Sequence, residues 1–482
     1  MEKEGKLILA LLIGVLMGAI DSTIVLLALP TINGYFQTQL SLSIWVILIY
    51  LLVIAVGTTQ FGRLGDVVSR RTIFSSGLLV FTIGSALCGA SSTIYELILF
   101  RGFQALGASM IQSNSGAIIA ENFLPHKRGR IFGYTAIGFN SGAMLGIVLG
   151  GIITTFVGWQ YIFYINVPIG IFAFILAMKN ISKSEKISNK LDLVGTTLLG
   201  SGLGFIAYGG VNITSSGIDH FNELILLTGT ILILCLIFTE SRVRKPLIPF
   251  SIFRVRVLSY SIIAAFLQSL GFLSVVFLLI MYLQGIRGLT PFISSLYLLP
   301  GYVVGSILGP LSGRLSDRIG SRIPATLGML VMGVAIIIYT TLTISVSLDI
   351  IIIGSFFTGI GSSLFYPANN SAVMANSPRE LFGLSSGFLR TMSNIGMLGS
   401  FVISISIASL SVTRQVAYEV FAGVSNLNGG LSLKVSDALL SGIRVALYYS
   451  LAILLLGAIF SFARGKEVRE SQKVAKEDSI SK

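Results

Sequence analysis

Charge is what this 482-residue chain has least of: 11% of its residues are charged, against 54% hydrophobic. A soluble domain carries about 25%. So little charge excludes a water-soluble fold of this size, and a mean hydropathy of +0.88 implies that most of the solvent is lipid. Cysteine and histidine are scarce too, two of each. Cys88 and Cys235 both fall inside apolar runs, which argues against a disulfide framework or a thiolate metal site. His126 and His220 sit in separate loops, no HExxH pattern occurs, and no glycine-rich phosphate loop ends in Lys-Ser or Lys-Thr. An enzyme embedded in the membrane would need a nucleophile, base or metal cluster at membrane depth. The sequence offers none, so neither catalysis nor a metal or cofactor is expected.

What the chain has instead is apolar runs. A membrane-crossing helix needs about 20 mainly apolar residues. On that basis spans are expected near 7–29, 42–61, 72–91, 95–119, 130–156, 160–179, 192–211, 222–240, 258–283, 291–312, 323–344, 350–375, 383–411 and 442–463. The predicted class is an all-α integral membrane protein of fourteen spans. Lys3 and Lys6 before the first run look like the start of a signal peptide. The run continues past 20 residues with no small-residue cleavage site, so a retained first helix is expected. Fifty-three glycines suit close helix packing.

The net charge of +13 is not spread as a nucleic-acid surface would be. Basic residues collect in alternate gaps: Arg63, Arg70 and Arg71; Lys127, Arg128 and Arg130; Lys179 to Lys190; Arg242 to Arg256; Arg314, Arg318 and Arg322; and the tail from Arg464. The positive-inside rule then places both termini in the cytoplasm.

An internal repeat organises the spans. Gly62-Arg63-Leu64-Gly65-Asp66 recurs as Gly313-Arg314-Leu315-Ser316-Asp317, with Arg70 and Arg71 following the first copy and Arg318, Gly320 and Arg322 the second. The expected organisation is a six-helix half at 1–181, a linker with two extra spans at 182–257, a second six-helix half at 258–465, and a basic cytoplasmic tail at 466–482. Parallel six-helix repeats are the architecture of alternating-access transport.

Several stretches resemble the fourteen-helix drug:proton antiporter family of the major facilitator superfamily. They are Asp21 to Ile32 in the first span, Gly62 to Arg71 after the second, Arg101 to Ala108 in the fourth, Gly142 to Gly151 in the fifth, Trp159 to Gly170 in the sixth, and Gly359 to Asn370 in the second half. Ile147 stands where that family's fifth-span motif has proline, and Ser69 where its first loop motif has glycine. The resemblance implies a major facilitator fold and proton-coupled export of hydrophobic or amphipathic compounds, in a multi-pass protein of the plasma membrane. Its partners would be protons, a small-molecule substrate and the lipid bilayer, with no nucleic acid, and the working form a monomer. A carrier specific for one metabolite is the alternative.

Charges inside spans are costly and therefore candidates for function. Asp21 is the one acid deep in any predicted span. It lies ~21 Å up its helix from Leu7, and Arg101 lies ~9 Å down a helix that runs the other way. In a core about 30 Å thick both charges fall at one depth. Burial favours a protonated carboxyl and a neighbouring guanidinium favours the carboxylate, so the pair would serve as a proton switch. A static ion pair that fixes packing is the other reading. The repeated loops, with Gly62, Asp66, Arg70, Arg71, Gly313, Asp317, Arg318 and Gly320, are expected to gate by making and breaking charged contacts at helix ends. Gly138, Gly142, Gly146 and Gly150, with Gly151 beside the last, form a smooth ridge for close packing. Asn140 and Gln268 are candidates to line a substrate cavity, Glu96 and Glu121 are expected at the interfaces, and Arg390 is expected to snorkel.

Overall fold

The computed structural model describes residues 2–123, 125–182, 192–216, 219–243, 255–377, 382–410 and 433–465. Fourteen long helices run through them. The first six are α1 (Glu2–Phe36), α2 (Trp45–Val67), α3 (Arg70–Gly89), α4 (Ile94–Asn122), α5 (Pro125–Phe156) and α6 (Tyr161–Asn180, broken at Ile165). Two more follow, α7 (Leu193–Ser216) and α8 (His220–Glu240). The last six are α9 (Arg256–Ile280, continued by a π-helical turn, Met281–Ile286), α10 (Pro291–Ile319), α11 (Arg322–Thr340), α12 (Asp349–Ala375), α13 (Phe382–Leu410) and α14 (Leu433–Ala463). Helix is what a lipid-solvated chain must form, because it satisfies its backbone groups within one segment.

The expected spans are all present as helices, and the differences lie at their ends. The helix α14 begins at Leu433 rather than near 442. Its first turns, through Lys434, Ser436 and Asp437, are polar but helix-competent, so an apolar window passes over them. The Gly62–Asp66 segment, expected in a loop, forms the last turns of α2, and Gly313 to Arg318 those of α10. The true connections are only residues 68–69 and 320–321, and of the predicted gating residues Gly320 alone lies between helices, at φ +86°. The basic segments 183–191 and 244–254, residues 411–432 and the tail 466–482 lie outside the described residues.

The two sets of six pack alike. In the first, α1 lies on α5 and α6, α4 on α2 and α3, and α3 on α6. In the second, α9 lies on α13 and α14, α12 on α10 and α11, and α11 on α14. One close crossing corresponds residue for residue. A Cβ added to Gly107 would stand 2.6 Å from the Gly77 carbonyl oxygen, and one on Gly361 2.6 Å from that of Gly328. The halves meet along two seams, α5 with α10 and α2 with α13. The extra pair hangs on the second seam: α7 touches α2 and α13, Ser406 Oγ donates to the Gly210 carbonyl at 2.6 Å, and α8 packs on α7.

With fourteen crossings α1 starts and α14 ends on one face, here the terminal face. On the opposite face Gln284 Nε2 donates to the Leu27 carbonyl at 3.1 Å. There too the Phe292 amide donates to Thr155 Oγ1 at 3.1 Å, and the rings of Phe156 and Phe292 meet edge-on at 5.7 Å. These contacts draw the halves together away from the terminal face.

Candidate functional site

Asp21 and Arg101 touch. Asp21 is wholly buried at 0% exposure and Arg101 is at 1%. Arg101 Nη1 donates to Asp21 Oδ2 at 2.7 Å, while Gln104 Nε2 donates to Oδ1 at 2.9 Å and Asn166 Nδ2 to the same oxygen at 3.5 Å. The spacing of Arg101 and Gln104, three residues apart on α4, puts both on one face opposite α1. Arg101 also donates Nε to the Val46 carbonyl at 3.1 Å, and its guanidinium lies 4.1 Å from the centre of the Tyr50 ring and 5.6 Å from that of Phe163. Gln104 Nε2 reaches Ser85 Oγ at 2.7 Å. A buried ion pair is stable only when the remaining lone pairs and protons find partners, and α1, α2, α3, α4 and α6 each supply one here. Chemically, the cluster offers one carboxylate held by one cation in a dry interior.

Sequence reasoning paired the two charges by depth but gave Gln104, Asn166, Ser85 and Tyr50 no role. The signal was there for two of them: Gln104 and Asn166 lie in the quoted stretches Arg101–Ala108 and Trp159–Gly170.

At the terminal face, Arg70 Nη2 pairs with Asp66 Oδ1 at 2.8 Å across the α2–α3 connection, and Nη1 pairs with Glu121 Oε1 of α4 at 2.9 Å. Glu121 is therefore bonded rather than simply interfacial, whereas Glu96 closes a capping box with Thr93 at the start of α4. Burial pushes the Glu121 carboxyl above its ordinary range; Arg70 pulls it down less strongly and Asp66 adds to the rise. Arg71 Nη2 donates to the Met178 carbonyl of α6. In the second half Arg322 Nε donates to the Phe462 carbonyl of α14 at 2.7 Å. The Asp317 side chain lies outside the described residues.

Four glycines of the predicted ridge face α1. A Cβ on Gly138 would meet Leu12 Cδ2 at 3.1 Å, one on Gly142 the Leu16 carbonyl at 2.8 Å, one on Gly146 the Ile20 carbonyl at 2.7 Å, and one on Gly150 Ile24 Cγ1 at 3.0 Å. Gly151 points the other way: its Cβ would lie 2.6 Å from Ser295 Oγ of α10, across the seam. The ridge is thus two surfaces, one inside the half and one between halves. Ile147 is fully buried and α5 contains no proline between Gly138 and Phe156. Thr23 Oγ1 donates to the Ala143 carbonyl at 3.2 Å, adding a polar tie between α1 and α5.

Of the two candidates for a cavity lining, only Gln268 can be placed. The Asn140 side chain lies outside the described residues. Gln268 is 0% exposed, with Nε2 3.8 Å from Met332 Sδ, so it is packed inside the second half and lines no open cavity here.

Two equivalent six-helix halves, joined along seams that close one face, make this a multi-pass membrane transporter. Comparison with known proteins says which kind. Residues 11–400 match the model of the Major Facilitator Superfamily. The tetracenomycin C resistance and export protein of Streptomyces glaucescens is 28% identical over 406 residues, which cover 83% of this chain and 76% of that one. The riboflavin transporter RibZ of Clostridioides difficile is 28% identical over 420 residues, 87% of this chain and 90% of its own. Among solved structures, a bacterial homologue of the human lysosomal transporter Spinster, inward-facing and unoccupied, superposes with a TM-score of 0.63 at 19% identity, covering 96% of this chain and 97% of its own. The chain belongs to the Major Facilitator Superfamily.

Proposed function

We propose that this transporter is a proton-coupled antiporter that exports hydrophobic or amphipathic small molecules by alternating access, in the manner of multidrug efflux. It works as a monomer in the plasma membrane with both termini in the cytoplasm. The observation that carries this reading is the Asp21 carboxylate, fully buried and held by Arg101 at 2.7 Å. A proton arriving at Asp21 cancels its charge and frees the guanidinium; loss of the proton restores the pair. Such a group gives each cycle two electrostatic states, which is what exchange of a proton for a substrate requires. The resistance and export function of the Streptomyces relative supports the outward direction. In this reading the Asp66–Arg70–Glu121 contacts tie helix ends at the terminal face in one state and release them in the other.

The riboflavin transporter among the relatives supports a second reading, a carrier for one metabolite. Dye transport by everted vesicles under an imposed pH gradient separates the two, efflux from the cell being scored there as uptake into the vesicle. Gradient-dependent efflux by the native chain, abolished in Asp21→Asn, is the expected result. Efflux untouched by the substitution would remove Asp21 from the mechanism, and no efflux of any dye would favour the metabolite.

A further inference from the structure

Arg390 is a cation at membrane depth for which the proton cluster has no use. It stands on α13 within the apolar stretch Ser385–Ala408, about 12 Å from the start of the helix at 1.5 Å per residue. A charge exposed to hydrocarbon is costly, so such residues turn to water, a counter-charge or a ligand. Its neighbours show which way it faces. Asn394 shares its helix face one turn along and donates Nδ2 to Gln112 Oε1 of α4, in the other half, at 3.2 Å. On one flank Thr391 meets Thr59 Oγ1 of α2 at 3.0 Å; on the other Ser400 and Ser404 bind Ser274 of α9. Arg390 therefore points into the seam between the halves, and snorkelling at a lipid-facing surface is not its reason.

Beside these contacts the seam leaves space around Arg390 itself. Arg390 is exposed, and a Cβ on Gly387, one turn nearer the terminal face, would find nothing within 4 Å among the described residues. Arg390 makes no hydrogen bond, ion pair or ring contact among the described residues. By contrast Arg71, Arg287 and Arg322, at helix ends, all donate to backbone carbonyls. Arg390 keeps its whole planar fork for something that enters from the terminal face.

We propose that Arg390 is a substrate-binding residue that recognises the anionic group of an amphipathic compound, a carboxylate, phenolate or sulfonate, inside the seam. The guanidinium fork matches two oxygens of such a group and gains strength where water is sparse. The same charge repels a permanently cationic compound. The inference rests on the export reading for its direction and extends it to a substrate class.

The test is equilibrium binding of two fluorescent probes, anionic fluorescein and cationic ethidium, to the purified full chain in detergent. Fluorescein is expected to bind the native chain, to bind Arg390→Gln at least tenfold more weakly, and to bind Arg390→Lys with a smaller loss. Ethidium binding should not weaken in either variant. Unchanged fluorescein affinity in both variants, tighter native binding of ethidium than of fluorescein, or no fluorescein binding overturns the proposal. If Arg390→Gln fails to fold, as judged by its melting curve, the Lys variant carries the comparison. Proteoliposomes with an imposed pH gradient keep the two failures apart. Arg390-dependent fluorescein binding with movement indifferent to the gradient leaves the anion site standing and sinks proton coupling. Gradient-driven ethidium movement without fluorescein binding does the reverse.

Discussion

Arg71 and Arg322 occupy the same place in the two repeats and do the same thing. Each stands in the first turn of the third helix of its half and donates to a carbonyl in the last turn of the sixth, at Met178 and at Phe462. The final carbonyls of a helix have no partner within it, and a cation there also meets the negative end of the helix dipole. The same short sequence signal thus ties the third and sixth helices together twice.

These two ties sit in separate halves, so their loss should be additive. Arg71→Ala and Arg322→Ala are each expected to cost about 1 kcal/mol. Melting of the single and double variants in detergent checks this; a double variant no worse than either single one would show that the contacts are not independent.

Breaking the central pair should be more severe. Removing one partner of a buried ion pair typically costs about 3–5 kcal/mol, because it strands the other charge. Arg101→Ala is therefore expected to melt far below the native chain. Asp21→Asn combined with Arg101→Gln should recover much of the loss, since neither then leaves a charge uncompensated. A double variant as unstable as the two losses summed would mean that the residues act separately.

The ridge of α5 makes a graded prediction. At Gly146 a methyl group would press on the Ile20 carbonyl at 2.7 Å, a backbone atom; at Gly138 it would meet the end of the Leu12 side chain at 3.1 Å. Gly146→Ala should cost about 1–3 kcal/mol, as overpacking does, and Gly138→Ala less. The order of their melting temperatures decides the matter.

Glu121 should make stability depend on pH. Its carboxyl is raised above the ordinary value of 4.5, chiefly by burial. The folded chain then binds more protons there than the unfolded one. Its favourable contribution is full below the ordinary value and is lost as pH rises through the raised one. Glu121→Gln should flatten the pH dependence of melting over that window; identical slopes for variant and native chain would refute this.

The apolar windows were enough to read the helices, and Asp21 and Arg101, placed at one depth by counting along their spans, are in contact. The windows were not enough at the ends. The run from Gly62 to Asp66 reads as a loop because it is polar and glycine-rich, yet α2 continues through it, and the Asp66–Arg70 bridge spans the short connection that follows. Hydropathy measures where lipid stops, whereas helix stops where hydrogen bonding and capping end it. Side-chain direction was equally hidden. Gly150 and Gly151 are neighbours in the chain but pack against different halves, and Gln268 is polar yet packed away. Neither follows from span assignment alone.

The bonds that hold Asp21 of α1 come from α4 and α6, all on one side of the seams. Swinging the two halves apart carries this cluster along as freight, with none of its bonds stretched. Within the half, α1 is locked to α5 and α4 to α3 by backbone-to-backbone crossings, and the Asp21–Arg101 bond stitches the one pair to the other. That joint is a shear plane: a proton landing on Asp21 loosens a stitch across it, and any message to the seams must begin as slippage between those two pairs.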